Sequence, residues 1–382
     1  MITLKHVERF YPLAKGKFFY VLLFFCVALS RPLVAETTPS LSPAGVQKID
    51  AAIEAWRSER GAPALSLAIV VDNQLAFSKG YGLADLEKKI AARNDTVYRL
   101  ASLTKSLTAT AVMQLVEEGK LDLDAPIQKY CPIFPDKQWP VTSRQLLTHL
   151  AGIRHNKWSE TWSTQHFASI NDSVKVFKDD ALLFEPETKY SYSTQGYVLL
   201  GCAIEGASGM PYLQYMADHI FKPAGMTQTT VDDSSLNVPN RAVGYRTGLF
   251  GFSWLNWLRG LHEAPPHDTS IKIPAGGLLS TVDDMARFAI AVMSGQLVQP
   301  DTLTKMWTKP KTRDGKESEY GFGFLIGEKN GQLRVYNDGS QAGTRTFLFM
   351  MPQQKFAVCL MTNLERADCE TLTPTIREVA MK

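Results

Sequence analysis

The chain has 382 residues, 45% of them hydrophobic and 21% charged, a globular composition that excludes disordered, collagen-like and low-complexity classes. The formal charge of +3 sits ahead of the body: Lys5, Arg9, Lys15, Lys17 and Arg31 face only Glu8 within residues 1–35, and the rest of the chain carries 36 basic against 37 acidic residues. A near-neutral body has no electrostatic footprint for nucleic acid.

Phe18 to Leu29 is almost wholly apolar, follows Lys15 and Lys17, and precedes Ser30, Pro32 and Ala35. A charged stretch, a short apolar core and small residues read as an export signal cleaved after Ala35. The length of the charged stretch keeps a second reading open, an uncleaved membrane anchor within residues 1–35. The apolar run is shorter than the roughly 20 residues that span a bilayer comfortably. Cys26 follows Phe24 and Phe25, which does not fit a lipoprotein cleavage site. The folded body, residues 36–382, is therefore expected outside the cytoplasm, periplasmic or extracellular, with membrane contact through the N-terminal segment under the anchor reading.

Val46, Ile49, Ile53 and Trp56 share a helical stripe that Gly61 and Pro63 end. Leu65–Val71 and Leu75–Lys79 flank Asp72-Asn73-Gln74, a β-hairpin signal. Leu103–Glu118, Ser143–Leu150, Gln195–Ala207, Pro211–Ile220 and Thr281–Met293 favour helix. Thr281 reads as an N-cap, with Asp284 as the capping-box acid. Gln332–Tyr336, Thr344–Met351 and Phe356–Thr362 read as strands, with a turn at Pro352–Lys355 and a closing helix over Pro374–Met381. Strands gather at both ends and helices between them. The expected class is α+β: one antiparallel sheet built from about 60–82 and 320–365, flanked by helices, with an inserted helical subdomain over about 110–260. The natural site is a cleft between the two.

Outside the leader, Cys131, Cys202, Cys359 and Cys369 form no CxxC pair. Their apolar contexts read as buried free thiols, and a Cys359–Cys369 bridge is the alternative for an exported chain.

The sharpest local signal is Ser102-Leu103-Thr104-Lys105, which opens a helix with an apolar stripe of Leu103, Leu107, Ala111 and Leu115. Residues three apart share a helix face. A serine hydroxyl needs a base to become a nucleophile, and a desolvated lysine with a lowered pKa supplies one. Tyr192-Ser193-Thr194 precedes a second apolar helix, and Tyr192 is placed to relay a proton to the leaving group, or to share the base role with Lys105, if a neighbouring cation such as Lys105 lowers its pKa. Asn337-Asp338-Gly339-Ser340 ends a predicted strand. There Gly339 permits close backbone approach, and the N–H groups of Ser102 and Ser340 suit an oxyanion hole.

Together these segments resemble the serine β-lactamase and penicillin-binding superfamily, most closely its class C-like branch and the β-lactamase-like proteins of the mitochondrial type. Tyr98–Lys105, Gln145–Ile153, Phe221–Met226 and Pro274–Thr281 are similar to further family segments, so residues 45–380 are covered. The resemblance implies a β-lactamase/transpeptidase-like fold and a covalent acyl-enzyme that is then hydrolysed, with neither metal nor cofactor. It assigns Ser102 as nucleophile, Lys105 as base and Tyr192 as second-motif tyrosine. Ser340, Gly339, Asn337 and Thr194 become oxyanion or substrate-binding positions, with Arg345 as a compensating cation. The implied partner is a small-molecule or peptide substrate.

Two positions depart from the family pattern. Thr194 stands where Asn is usual, and Asn337-Asp338 where a cation and Thr are usual. The missing cation tilts the reading from β-lactams toward ester, amide or peptide substrates that are neutral or basic. A D-Ala-type peptidase or true β-lactamase is the enzymatic alternative, and a penicillin-binding or scaffolding protein without turnover the non-enzymatic one.

His149 and His155 lack the spacing of a metal site, and no GxSxG elbow is present. His149 is read as structural. The aromatic-rich Gly248–Leu258 stretch is read as core packing, with a flap or membrane-touching patch as the alternative. Glu185-Pro186-Glu187 precedes the tyrosine motif with no role attached.

Overall fold

The computed structural model describes residues 40–248 and 260–382. The leader and most of the aromatic-rich stretch lie outside the described residues. The first helix spans Pro43–Arg60. Ser42 caps it by accepting the Gly45 N–H, and Gly61 ends it in the left-handed region at φ 62°. Its Ile49, Ile53 and Trp56 are buried, as their spacing requires.

Strands β1 (Ala64–Val71) and β2 (Gln74–Asp85) form the predicted hairpin. Asp72 and Asn73 occupy its tip at φ 53° and 59°, the left-handed geometry that a two-residue turn demands. β3 (Ile90–Ala91) pairs with β2. Near the other end come β9 (Leu325–Lys329), β10 (Gln332–Gln341), β11 (Thr344–Met351) and β12 (Phe356–Thr362). They join the first three in one seven-stranded sheet of order β3-β2-β1-β12-β11-β10-β9. The two chain regions meet where β1 pairs antiparallel with β12, Leu67 opposite Leu360.

Between them lie the short strands β4 (Tyr98–Arg99), β5 (Thr230–Val231) and β8 (Leu278–Ser280), which form a three-stranded sheet, and the pair β6 (Tyr245–Thr247) and β7 (Leu261–Glu263). Both faces of the large sheet are covered. Leu65, Leu67 and Ile69 of β1 share one core with Ile49, Ile53, Trp56 and Ile376, so the first helix and the closing helix Thr373–Ala380 cover that face. Ala68 and Val70 point the other way, into a core with Leu107, Val112, Val198 and Phe288. β1 thus reads as a continuous apolar run because it is buried on both sides.

The middle is helical, with the longer helices at Thr104–Glu117 and Thr194–Ser208, but helix continues past 260 in Val282–Met293. Four local expectations need correction. The helix Thr104–Glu117 is not amphipathic: every residue from Thr104 to Met113 is buried. Its threonines are accommodated because Thr108 and Thr110 donate to carbonyls one turn back, Thr104 O and Ser106 O. The helix from Ser143 ends at Leu147 rather than Leu150, because His149 turns left-handed at φ 59°. Pro211–Ile220 divides into a helical turn over Tyr212–Tyr215 and a wider π-helical turn over Met216–Phe221. Thr281 does cap its helix, accepting the Asp284 N–H at 3.1 Å, but the Asp284 carboxylate turns away and accepts from Gln228 N and Thr229 Oγ1, both at 2.8 Å.

The cysteines also differ from expectation. Cys131 and Cys202 form a disulfide across a separation of 71 residues, while Cys359 and Cys369 stay free and buried. Cys202 has the apolar context of a free thiol, but the fold places its helix beside the turn that carries Cys131. No described helix is long and apolar enough to cross a membrane.

Candidate active site

Ser102 lies in a 3-10 turn, Ala101–Leu103, directly ahead of the helix Thr104–Glu117. Ala101 holds φ 50°, a left-handed conformation that is costly for a residue with a Cβ, and it presents Ser102 at the edge of the sheet. The turn is anchored from β11: Thr346 Oγ1 donates to Leu100 O at 2.8 Å and Thr344 Oγ1 to Arg99 O at 3.2 Å.

Three predicted residues converge. Lys105 Nζ is 3.2 Å from Ser102 Oγ, and the Tyr192 hydroxyl donates to the same oxygen at 2.8 Å. Lys105 also donates to Ala275 O at 2.8 Å, and its Nζ lies 4.8 Å from the centre of the Tyr192 ring. Lys105 is 1% exposed, and burial, reinforced by the nearby positive charge of Lys272, holds its pKa well below that of an ordinary lysine. The amine is thereby readied as a base. Tyr192 moves the opposite way. Burial raises its phenol pKa, against a smaller lowering from the bond to Ser102. Burial outweighs any acidifying effect of the neighbouring amine, so the phenol keeps its proton in this arrangement and is not the acidified tyrosine expected from the sequence.

Tyr192 is held from behind. The His149 ring packs 4.4 Å from it, centre to centre, and His149 Nδ1 accepts the Ser193 N–H at 3.1 Å. The left-handed kink that stops the helix at Leu147 places this imidazole, so His149 is structural, as read from the sequence. Burial, with Lys105 nearby, keeps it neutral.

Ser102, Tyr192, Thr194 and Ser340 line one cavity of about 310 Å³, together with His155, Trp162 and Lys272. A larger cavity of about 490 Å³ meets it at Ala342 but holds no nucleophile–base pair. Thr194 opens its helix and is 6% exposed. Its N–H donates to His155 Nδ1 at 3.2 Å, which leaves the imidazole proton on Nε2. Partial desolvation and Lys105 lower the His155 pKa to about 4, although the residue keeps an exposed side.

Ser340 faces the cavity through its backbone. Gln341 and Thr344 close the hairpin β10–β11 across Ala342-Gly343, and Ser340 pairs with Arg345. In a hairpin with a two-residue turn the closing pair is hydrogen-bonded and the next pair is not. The Ser340 N–H therefore points away from β11, on the edge that β9 leaves uncovered beyond Tyr336.

The other residues of Asn337-Asp338-Gly339-Ser340, the third motif of the resemblance, do not line the cavity. Asn337 is 2% exposed, and its amide donates to Ser106 Oγ at 2.9 Å and Gly323 O at 3.1 Å, fastening β10 to the nucleophile helix. Gly339 does permit a close approach, but of protein backbone: a Cβ there would meet Leu100 O at 2.4 Å. Arg345 offers no spare charge. It pairs with Asp338 at 2.7 Å and Glu370 at 2.8 Å. One guanidinium is thus shared between two carboxylates, Asp338 and Glu370. Glu185 pairs with Arg313, and Glu187 accepts from Gln145 at 3.0 Å. Among the described residues no cluster of metal-ligating groups occurs.

Sequence reasoning missed Lys272 and Trp162 and gave His155 no role in the site. The residue type and position of His155, six beyond His149 and in an Arg-His-Asn loop, were the only local signal.

Residues 49–381 match the family model described as Beta-lactamase. The human serine beta-lactamase-like protein LACTB, mitochondrial, is 29% identical over 78% of this chain and 70% of its own length. The Staphylococcus aureus protein flp is 26% identical over 83% of this chain and 63% of its own length. Among solved structures, the octameric penicillin-binding protein homologue from Pyrococcus abyssi superposes with a TM-score of 0.74 at 27% identity, covering 88% of this chain and 77% of that one. D-amino acid amidase from Ochrobactrum anthropi superposes with a TM-score of 0.73 at 25% identity, covering 88% and 99%.

Proposed function

The chain belongs to the beta-lactamase family, and on that premise we propose that it is a serine hydrolase that cleaves ester, amide or peptide bonds through a covalent acyl-enzyme. The observation that carries this reading is the position of Ser102 Oγ, 3.2 Å from a buried amine and 2.8 Å from a half-buried phenol on the wall of a cavity. Neutral Lys105 takes the Ser102 proton as Oγ attacks the acyl carbon. The N–H groups of Ser102 and Ser340 hold the oxyanion, and losing one such donor typically costs about 10²–10³ in rate. Tyr192 passes its proton to the departing oxygen or nitrogen and regains one from the Lys105 ammonium, so both groups return to their starting state. Water then hydrolyses the ester on Ser102.

The alternative of a binding or scaffolding protein without turnover is disfavoured by the intact Ser102–Lys105–Tyr192 contacts. Amide cleavage gains weight from the likeness to D-amino acid amidase. Export is part of the proposal: the apolar leader supports it, and the Cys131–Cys202 bridge suits an oxidising compartment. The test is a screen of p-nitrophenyl esters and D-amino acid amides with the protein lacking residues 1–35, beside its Ser102→Ala variant. Turnover that vanishes in the variant supports the reading; turnover that persists refutes it.

A further inference from the structure

Lys272 ends the 3-10 turn Ser270–Lys272 and leads into Ile273–Gly276, the segment whose Ala275 carbonyl holds Lys105. It is 9% exposed and lines the cavity that contains Ser102. Its ammonium has no hydrogen bond and no ion pair among the described residues. Burying a cation without a partner is costly, and folded proteins ordinarily pair such groups.

The surroundings do not neutralise it. The nearby carboxylate, Asp232, already accepts from Arg99 at 2.7 Å and from Arg241 at 2.5 Å. Asp232 also accepts from Thr269 Oγ1 at 3.2 Å. Three cations therefore share one buried carboxylate. Glu365 lines the cavity as well, but Arg246 and Arg366 each stand 3.8 Å from it. His267, beside Arg99, is held neutral by burial and by that guanidinium. Burial lowers the Lys105 pKa too. The wall thus carries an unbalanced positive charge, and His155, with its proton on Nε2, adds a neutral donor to the same cavity.

We propose that Lys272 anchors a carboxylate on the acyl portion of the substrate, so that the hydrolase prefers esters or amides of acids that carry a second, anionic carboxylate. The proposal rests on the serine-hydrolase reading above. The acyl side is the consistent one, because the acyl group remains on Ser102 after the leaving group departs and so keeps the ammonium paired through both steps. This reverses the preference for neutral or basic substrates drawn from the third motif alone.

The test compares p-nitrophenyl glutarate, which has a free carboxylate, with p-nitrophenyl 5-methylhexanoate, its uncharged shape analogue. The expected ratio of kcat/KM in favour of the glutarate is about tenfold or more, the worth of one charge-assisted contact of about 1.4 kcal/mol. Lys272→Met lowers that ratio by a similar factor, and Lys272→Arg retains it. Equal turnover of the two esters by the unaltered protein, or an unchanged ratio in Lys272→Met, overturns the proposal. The comparison within the unaltered protein decides the matter even if Lys272→Met fails to fold. Failure of the hydrolase reading itself registers separately, as absence of turnover of both esters or as turnover that survives Ser102→Ala.

Discussion

Tyr192 donates a 2.8 Å hydrogen bond to Ser102 Oγ from a phenol whose pKa burial has raised. The two residues come from separate helix starts, 90 positions apart, and meet because His149 and its aromatic neighbours fill the space behind the tyrosine ring. A phenol held protonated supplies a proton and does not accept one, so the proposed mechanism takes Lys105 as the base.

Tyr192→Phe removes the donor and keeps the ring against His149. The expected loss in kcat is about 10²–10⁴-fold, the range for a general acid, with little change in melting temperature. The loss is smaller for p-nitrophenyl esters, whose leaving group needs no proton, than for amides. Equal losses on both would assign Tyr192 a role other than protonating the leaving group.

Lys272 lowers the pKa of Lys105 by like-charge repulsion. Lys272→Met removes that repulsion, so the Lys105 pKa rises and the acid limb of the kcat/KM profile for a neutral ester shifts to higher pH. The Lys272 pKa is itself lowered to about 8, by burial first and then by Arg99, against the opposing pull of Asp232. Lys105, His155 and His267 face it, each with a lowered pKa. The preference for an anionic ester should therefore fade as pH rises through about 8. Stability has a matching sign. A base whose pKa is lower when folded destabilises the fold below that pKa, and the cost is relieved as pH rises toward the unfolded value. Lys272→Met should raise the melting temperature at pH 7 and lose that gain toward pH 10. A lysine kept for structure would give the opposite result.

The Cys131–Cys202 bridge closes a loop of 71 residues, for which chain-entropy arguments give about 4 kcal/mol as an upper figure. The double variant Cys131→Ala/Cys202→Ala, or the reduced protein, should unfold at lower denaturant concentration. Coincident unfolding curves with and without reductant would remove the bridge from the account.

Much of the fold is legible because its signals are local. The hairpin at Asp72-Asn73, the strands at both ends and the Ser102–Lys105 spacing all follow from period and turn chemistry. The nucleophile helix misled because its threonines read as polar, although their hydroxyls bond within the helix and to Pro274 O. What stayed hidden depends on distant pairing. Asn337 looks like a substrate ligand until Ser106 and Gly323 claim its amide. Arg345 looks available until Asp338 and Glu370 take it. Lys272 looks like any lysine until the fold buries it beside Asp232, a carboxylate already used twice.

Activation of Ser102 is read most directly by intact-mass and peptide mass spectrometry after treatment with a fluorophosphonate. A single adduct on Ser102 is expected in the folded protein, formed faster as pH rises through the Lys105 ionisation and slowed strongly by Lys105→Met. An unmodified Ser102 in protein shown to be folded, or labelling at the same rate without the lysine, would contradict it.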